Sequence, residues 1–247
     1  DLLDGAVNIE LIALFSPEHG IRGIRDDRIP SSRDKKTGRV IHSLYGKRLQ
    51  PTPEMLAGID TIVVDLQDIG TRFYTYMTTM AYMLEAAAKQ KIQVMVLDRP
   101  NPINGLQIEG PVLDQKFIDF TGYFPMPIRH GLTMGELGRW FVKTLELDVD
   151  YDVIAMDGWQ PGDAPGFGWP LRERDWVNPS PNASSLNMAR CFAGTVLFEG
   201  TTLSEGRGTT HALEVVGAPD IDFGRVLARM RRLRPEWLGG CLLRPCH

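Results

Sequence analysis

A β–α–β pattern between residues 60 and 102 constrains the fold of this chain more than any other stretch. Residues 61–64 form a short β-branched run that ends in Asp65, and residues 94–97 form a second apolar run that ends in Asp98. Between the two runs, apolar side chains recur at helical spacing. Two short strands joined by a helix pair in parallel through a crossover connection, so the sequence predicts an open α/β sheet.

Polar side chains stand where these strands end, which is where open parallel sheets bind their ligands. They are Asp65, Gln67, Asp68, Thr71, Arg72 and Tyr74 after the first run, and Asp98, Arg99, Asn101 and Asn104 after the second. A third strand, predicted over residues 9–15, would deliver Glu18 and His19 to the same edge. We therefore expect three strands to present acids at one edge of the sheet and the active site to lie there.

Other segments give weaker signals. Residues 24–53 are polar and rich in turn formers, which predicts a long surface loop at the rim of the site. Residues 53–57 are typical of a short helix that leads into the central unit. Thr133 followed by Glu136 forms a capping box, and apolar residues at helical spacing follow it.

The second half of the chain contains a candidate domain boundary. Alternation predicts a strand over 151–156, and another strand is predicted over 193–198, with a basic amphipathic helix over 223–233. The stretch between the two strands is dense in Pro, Gly and Trp. We therefore expect an α/β domain over residues 1–157 and a smaller second region over 158–247.

Composition excludes several classes of protein. The 247 residues carry a net charge of -4 without a basic cluster, which argues against nucleic acid as the main partner. No apolar run approaches the roughly 20 residues that a membrane helix needs. Three cysteines are too few for a disulfide framework. No signal peptide is visible, although the abrupt first residue, Asp1, is compatible with a piece of something longer.

The common cofactor motifs are missing from the sequence. It has no GxGxxG after a strand, no GxxxxGK[ST], no HExxH and no GxSxG. Dinucleotide-binding, P-loop, zincin and α/β-hydrolase interpretations therefore lose their main support.

A surplus of carboxylates suggests glycoside hydrolysis, which needs a protonated carboxyl group to donate to the leaving oxygen and often a second carboxylate. Glu18 is attractive as the acid because it follows a buried strand and Pro17, where desolvation would favour the protonated form. The alternative is that Glu18 caps a turn or pairs with Arg22.

The remaining candidates also have structural alternatives. Asp65 and Asp68 are suited to ligate a metal, but capping the following helix explains them better. His19 and His130, each taken alone, are more often structural than catalytic. Tyr74, Tyr76 and the Trp-rich segment 159–176 are suited to stack on a sugar ring or to pack in a core.

Three guanidinium groups are candidate clamps for a substrate carboxylate, or else they hold the acids of the site in place. They are Arg72, Arg99 and Arg207.

Nine blocks of sequence, in the same order, resemble the exo-β-N-acetylmuramidase (NamZ) family, which was long catalogued as a domain of unknown function. The blocks are FSPEHGIRG (15–23), SLYGK (43–47), PTPEML (51–56), DLQDIGTRFYTY (65–76), LDRPNPING (97–105), EGPVLD (109–114), IRHGLTMGEL (128–137), PSPN (179–182) and LFEGTTLSEGRGTT (197–210). The resemblance covers nearly the whole chain. It implies a Rossmann-like domain, a second domain and a site in the cleft between them.

The resemblance also implies the release of terminal N-acetylmuramic acid from peptidoglycan fragments, without a cofactor. Carried over motif by motif, it makes Glu18 the leading candidate for the general acid, with His19 beside it. Glu199, Glu205 and the substrate's own acetamido group stay open as sources of the second catalytic function. The side chains that the resemblance implies for substrate binding are Asp65, Asp68, Arg72, Tyr74, Arg99, Asn101, Asn104, His130, Glu205 and Arg207.

Family members as the resemblance describes them begin with another strand and continue further, so we expect a truncated second region. They are secreted or periplasmic, and their partners are muropeptides or peptidoglycan disaccharides. Two other functions remain open from the sequence. One is a non-catalytic protein that binds cell-wall sugars, and the other is a metal-dependent hydrolase that uses Asp65 and Asp68.

Overall fold

The predicted β–α–β unit is present in the computed structural model, which describes residues 2–161 and 175–245. Strand β4 (Thr61–Val64), helix α1 (Tyr76–Gln90) and strand β5 (Gln93–Leu97) follow one another, and β4 pairs with β5 in parallel. Strand β6 (Tyr151–Ile154) pairs with the other edge of β5, also in parallel. This three-stranded parallel sheet confirms the predicted α/β, Rossmann-like class.

A second three-stranded sheet corrects three details of the sequence analysis. The strand before Glu18 belongs to this second sheet and not to the sheet of β4 and β5, so the three strands do not share one sheet edge. Strand β1 (Ala13–Ser16) begins later than predicted and pairs in parallel with β3 (Val40–Ser43), while β2 (Ser32–Arg33) pairs with β3 in the antiparallel sense. The prediction of an unbroken loop over 24–53 is therefore wrong. Strands of two and four residues among turn formers leave too short a pattern for detection. Their stability comes from main-chain pairing, of β3 with β1 and of β2 with β3.

The main core lies between the parallel sheet, α1 and helix α2 (Met134–Thr144). Met77, Met80 and Leu84 recur along one face of α1 and are at most 1% exposed. Because burying each such side chain contributes about 1.5–3 kcal/mol, this face fixes α1 against the sheet. The short helix predicted near residue 53 is the 3₁₀ turn Pro53–Leu56, and Gln115–Phe117 forms another such turn.

The predicted capping box at the start of α2 is confirmed. The Thr133 hydroxyl accepts a hydrogen bond from the Glu136 amide at 3.2 Å, and the Glu136 carboxylate accepts one from the Thr133 amide at 2.9 Å. Asp98, at the end of β5, reinforces this helix end by accepting hydrogen bonds from the Thr133 hydroxyl and the Gly135 amide. The polar end of β5 is therefore used for helix capping.

The predicted strand over 193–198 is wrong. These residues belong to the end of helix α3 (Leu186–Thr195) and to the 3₁₀ turn Val196–Gly200. Ser185 caps α3 through a bond from the Met188 amide, and Met188 and Phe192 lie on one buried face. The helix therefore depends on a cap and on tertiary burial, whereas the sequence window starting at residue 193 contained only its last residues.

The last part of the described chain is helical and exposed. Helix α4 (Phe223–Leu233), predicted from its amphipathic pattern, begins after the Asp222 cap and is followed by the 3₁₀ turn Pro235–Leu238. Of the Trp-rich segment 159–176, residues 162–174 lie outside the described residues. Within the described residues no helix is long and apolar enough to cross a membrane.

Gly70 provides a test of the packing around the loop that follows β4. Its φ is +85°, and a Cβ atom built there would lie 2.4 Å from Asn101 Oδ1 and from Ile103 Cγ1. We expect Gly70→Ala to destabilise the protein by roughly 3 kcal/mol through backbone strain and overpacking. Gly58 has a similar φ of +79° with no atom within 4 Å, so Gly58→Ala should cost only about 1 kcal/mol. Urea unfolding of both variants measures this difference, and equal losses would contradict the packing around Gly70.

Candidate active site

A cavity of about 430 Å³ lies where the loops after β1 and β4 meet the chain around α3. Its polar lining includes Glu18, His19, Asp26, Thr75, Asn182, Glu199 and Arg207. Its apolar lining includes Ile69, Phe73, Met188, Phe192, Leu197 and Leu213. A cavity of this size with a few convergent polar groups and aromatic walls is typical of a small-molecule site.

Glu18 projects from the turn after β1 and is held by hydroxyl groups. The Thr75 hydroxyl donates a hydrogen bond to Glu18 Oε2 at 2.6 Å. Burial, together with the hydrogen bond to Glu18, raises the pKa of Tyr45 to about 12. Tyr45 therefore keeps its phenolic proton at neutral pH. Arg22, the alternative partner predicted for Glu18, instead pairs with Asp34 at 2.9 Å.

His19 sits in the left-handed backbone region, with φ at 68°, which turns its ring toward the cavity wall. Its Nδ1 lies 2.8 Å from the Arg25 carbonyl oxygen and 3.2 Å from Asp26 Oδ1. Because a carbonyl oxygen can only accept, Nδ1 carries the hydrogen and Nε2 is the basic nitrogen of the neutral ring. The ring also stacks on Tyr74, with centroids 6.4 Å apart.

Two buried tyrosines pack together beside the cavity, and one of them, Tyr74, is part of its lining. Tyr74 and Tyr76 meet edge to face with centroids 4.9 Å apart, and the Tyr76 hydroxyl donates to the Pro179 carbonyl oxygen. Burial raises the pKa of both phenols well above the usual range, so both stay protonated. These rings hold the loop after β4 against residues 179–183.

Arg207 contributes a positive charge to the cavity wall. Its guanidinium pairs with the carboxylate of Glu199, and its Nε lies 2.9 Å from Glu205 Oε1. Burial alone would lower the pKa of Arg207, but the two carboxylates more than offset this and raise it. Three residues of the last motif therefore form one charged cluster, of which Glu199 and Arg207 line the cavity.

Several predicted site residues lie outside the cavity lining, in structural interactions. Asp65 pairs with Arg99 at 2.6 Å in a half-exposed contact. Asp68 Oδ2 accepts a hydrogen bond from the Gly70 amide at 2.6 Å and lies 3.2 Å from His130 Nε2 in a fully buried pair. The helix-cap interpretation of the two aspartates is wrong, because the N-cap of α1 is Thr75. The described residues contain no group of three or more His, Cys, Asp or Glu side chains placed to hold a metal ion.

The other predicted binding residues also hold the backbone. The Arg72 guanidinium is buried and donates to the carbonyl oxygens of Pro111 and Met126. Asn101 donates to the Leu132 carbonyl oxygen, and Asn104 accepts from the Leu106 amide. The expectation that polar side chains gather at the ends of the strands was therefore correct for this region. Most of these side chains, however, form hydrogen bonds with the backbone of the surrounding loops.

Sequence reasoning missed three residues around Glu18 and His19. Asp26 lies against His19 and also accepts a hydrogen bond from Asn182 at 3.0 Å. Thr75 and Tyr45 flank the Glu18 carboxylate. Thr75 stands just before a helix, and a threonine at such a position predicts a helix cap. That pattern does not predict the contact with Glu18, which is 57 residues away in the sequence.

Comparisons with known proteins agree across the chain. Residues 1–187 match the family model described as exo-beta-N-acetylmuramidase NamZ, N-terminal, and residues 190–247 match its C-terminal counterpart. The chain is 46% identical over 223 residues to the peptidoglycan beta-N-acetylmuramidase NamZ of Bacillus subtilis (strain 168). That match covers 90% of this chain and 53% of the relative, so the chain spans about half the length of that protein.

Two crystal structures of DUF1343 family proteins from Bacteroides fragilis NCTC 9343 have the same fold. The first aligns with a TM-score of 0.86 at 36% identity and covers 100% of this chain and 62% of that one. The second aligns with a TM-score of 0.72 at 36% identity and covers 87% and 56%.

The buried position of Arg72 allows its structural role to be separated from a role in ligand binding. We expect Arg72→Met to destabilise the protein by about 3 kcal/mol, because two carbonyl oxygens lose a charged donor. Arg99→Met removes only the half-exposed pair with Asp65 and should cost less than about 1 kcal/mol. Thermal and urea unfolding of the two variants checks this order, and an Arg72→Met protein of wild-type stability would contradict it.

Proposed function

The chain belongs to the exo-β-N-acetylmuramidase NamZ family, and from this premise we propose that it acts as an exo-acting glycoside hydrolase. Its substrate would be terminal β-linked N-acetylmuramic acid at the non-reducing ends of peptidoglycan fragments. The observation that carries the proposal is the placement of Glu18, Tyr74 and Arg207 around one cavity. Hydrolysis of this kind uses carboxyl groups and water, and it requires no cofactor.

Glu18 is proposed as the general acid. In the protonated form it gives its proton to the glycosidic oxygen while the bond from C1 to that oxygen breaks, and the bonding electrons leave with the oxygen. Water then completes the hydrolysis at C1. The hydroxyls of Thr75 and Tyr45 beside Glu18 support this role, because they donate to the carboxylate that remains after the transfer.

Arg207 is proposed to recognise the lactyl carboxylate that distinguishes muramic acid from glucosamine. A guanidinium binds a carboxylate through charge-assisted hydrogen bonds, and Arg207 lines the same cavity as Glu18. The second catalytic function has three candidates, Glu199, Glu205 and the acetamido group of the substrate.

We further propose a secreted or periplasmic location, where peptidoglycan is found.

The reaction is tested by the release of a chromophore from an aryl β-N-acetylmuraminide whose phenol is only weakly acidic, so that its departure needs a proton, with the matching N-acetylglucosaminide as the control substrate. The enzymes are this chain and this chain extended at its ends with the corresponding segments of the Bacillus subtilis relative, each also as Glu18→Gln. We expect turnover of the muraminide alone and a loss of ~100-fold or more in kcat for Glu18→Gln, as is typical when general acid catalysis is removed.

Other outcomes have distinct meanings. An extended wild-type chain that binds N-acetylmuramic acid without cleaving the muraminide would replace the enzyme proposal with a sugar-binding function. Activity that is lost with chelators and restored by a divalent metal would favour the metal-dependent alternative.

The role of Arg207 is tested by binding. We expect Arg207→Gln to weaken the affinity for free N-acetylmuramic acid by ~10- to 100-fold, because a charge-assisted interaction is lost. Its affinity for N-acetylglucosamine should not change. Arg139→Gln, on the exposed side of α2, is the matched control. Calorimetric titration measures the affinities of the wild type and both variants for the two sugars, and wild-type binding of N-acetylmuramic acid by Arg207→Gln would overturn the assignment.

A further inference from the structure

Thr75 occupies a helix N-cap position but does not cap the helix. It precedes α1 with φ −70° and ψ −9°, and its side chain makes no cap hydrogen bond. Thr133 and Ser185, which precede α2 and α3, have extended backbones and accept hydrogen bonds from the amides of Glu136 and Met188. A helical backbone at Thr75 directs its hydroxyl elsewhere, because side-chain capping requires an extended N-cap residue.

The Thr75 hydroxyl instead forms a hydrogen bond with Glu18. Thr75 is 7% exposed, and its hydroxyl donates to Glu18 Oε2 at 2.6 Å across 57 residues of sequence. A cap of this kind is ordinarily worth ~1 kcal/mol to a helix, so this end of α1 gives up stability that the other two helices keep. Such a departure from a local rule is expected where a residue serves a function.

We propose that Thr75 is a positioning residue that holds the carboxyl group of Glu18 for proton transfer. This inference rests on the proposed glycosidase function and deepens it. The hydrogen of the Thr75 hydroxyl occupies a lone pair of Oε2, and this assigns the acidic proton of Glu18 to Oε1. This hydrogen bond fixes the rotation of the carboxyl group, because Thr75 stands at the start of the packed helix α1.

The same hydrogen bond favours the transfer itself. When the Oε1–H bond breaks, the proton passes to the glycosidic oxygen, the C1–O bonding electrons leave with that oxygen, and Glu18 becomes a carboxylate. A hydrogen bond donated to a carboxylate is stronger than one donated to the neutral acid. Thr75 therefore stabilises the charge that develops during the reaction, and an interaction of this kind raises kcat more than it changes KM.

The test compares Thr75→Val, which keeps the shape and removes the hydroxyl, with Thr75→Ser, which keeps the hydroxyl. We expect Thr75→Val to lower kcat by ~10- to 100-fold with KM within about 3-fold of wild type, since a hydrogen bond to a charged group is lost. Thr75→Ser should restore most of the activity. Thr79→Val is the matched control, because Thr79 lies one turn further along α1, is buried, and its hydroxyl makes no hydrogen bond in the described structure.

Two further readouts separate positioning from a general structural effect. With aryl muraminides of increasingly acidic leaving groups, acid catalysis becomes unnecessary, so the defects of Thr75→Val and Glu18→Gln should shrink together. In the Glu18→Gln background, Thr75→Val should cost less than about 2-fold more, because residue 18 no longer has a proton to transfer or a negative charge to develop.

The outcomes distinguish this inference from the proposed function. A wild-type protein that cleaves no muraminide removes the function and the inference together. Activity that depends on Glu18 but is unchanged in Thr75→Val overturns only the positioning role. A Thr75→Val defect that is equal for every leaving group, or that multiplies fully with Glu18→Gln, also overturns it.

Discussion

The loop between β4 and α1 is buried, and its polar groups must find partners inside the protein. Asp68, Arg72 and Thr75 are all at most 7% exposed. An unpaired buried polar group costs about 1–3 kcal/mol, so this loop can be stable only if other segments supply partners. It binds three of them: the turn after β1 through Thr75, the chain near residues 111 and 126 through Arg72, and residue 130 through Asp68.

How well the sequence predicted the fold depended on the length of each repeating pattern. The unit from β4 to β5 was predicted correctly because a 15-residue helix displays its apolar period several times between two short apolar runs. Strands β2 and β3, with two and four residues, and the end of α3 were predicted wrongly. A pattern of that length is not distinctive, and these elements are determined by the strands or apolar surfaces against which they pack.

The site was only partly predictable for a different reason. The strand-end rule and the motifs together led to Glu18, His19, Tyr74, Glu199 and Arg207, all of which line the cavity. The same rule also selected Asp98, Arg72 and Asn101, whose polar atoms bind backbone groups of nearby loops. Sequence order gives the edge at which a side chain emerges, but the rotamer and the nearest unsatisfied backbone group decide whether it reaches the cavity.

Apolar packing, more than charge, brings the last motif to the cavity. Helix α3 spans the junction between the two matched family regions, and Met188 and Phe192 pack with Ile69 and Tyr74 in one buried cluster. Each of these large side chains contributes about 1.5–3 kcal/mol on burial, whereas a partly exposed ion pair such as Arg207–Glu199 contributes about 0–1 kcal/mol. The helix therefore fixes where residues 196–207 run, and the ion pairs only orient the side chains. Because the fold does not depend on the charges of Glu199 and Arg207, these two residues of the cavity lining can be used to bind a ligand.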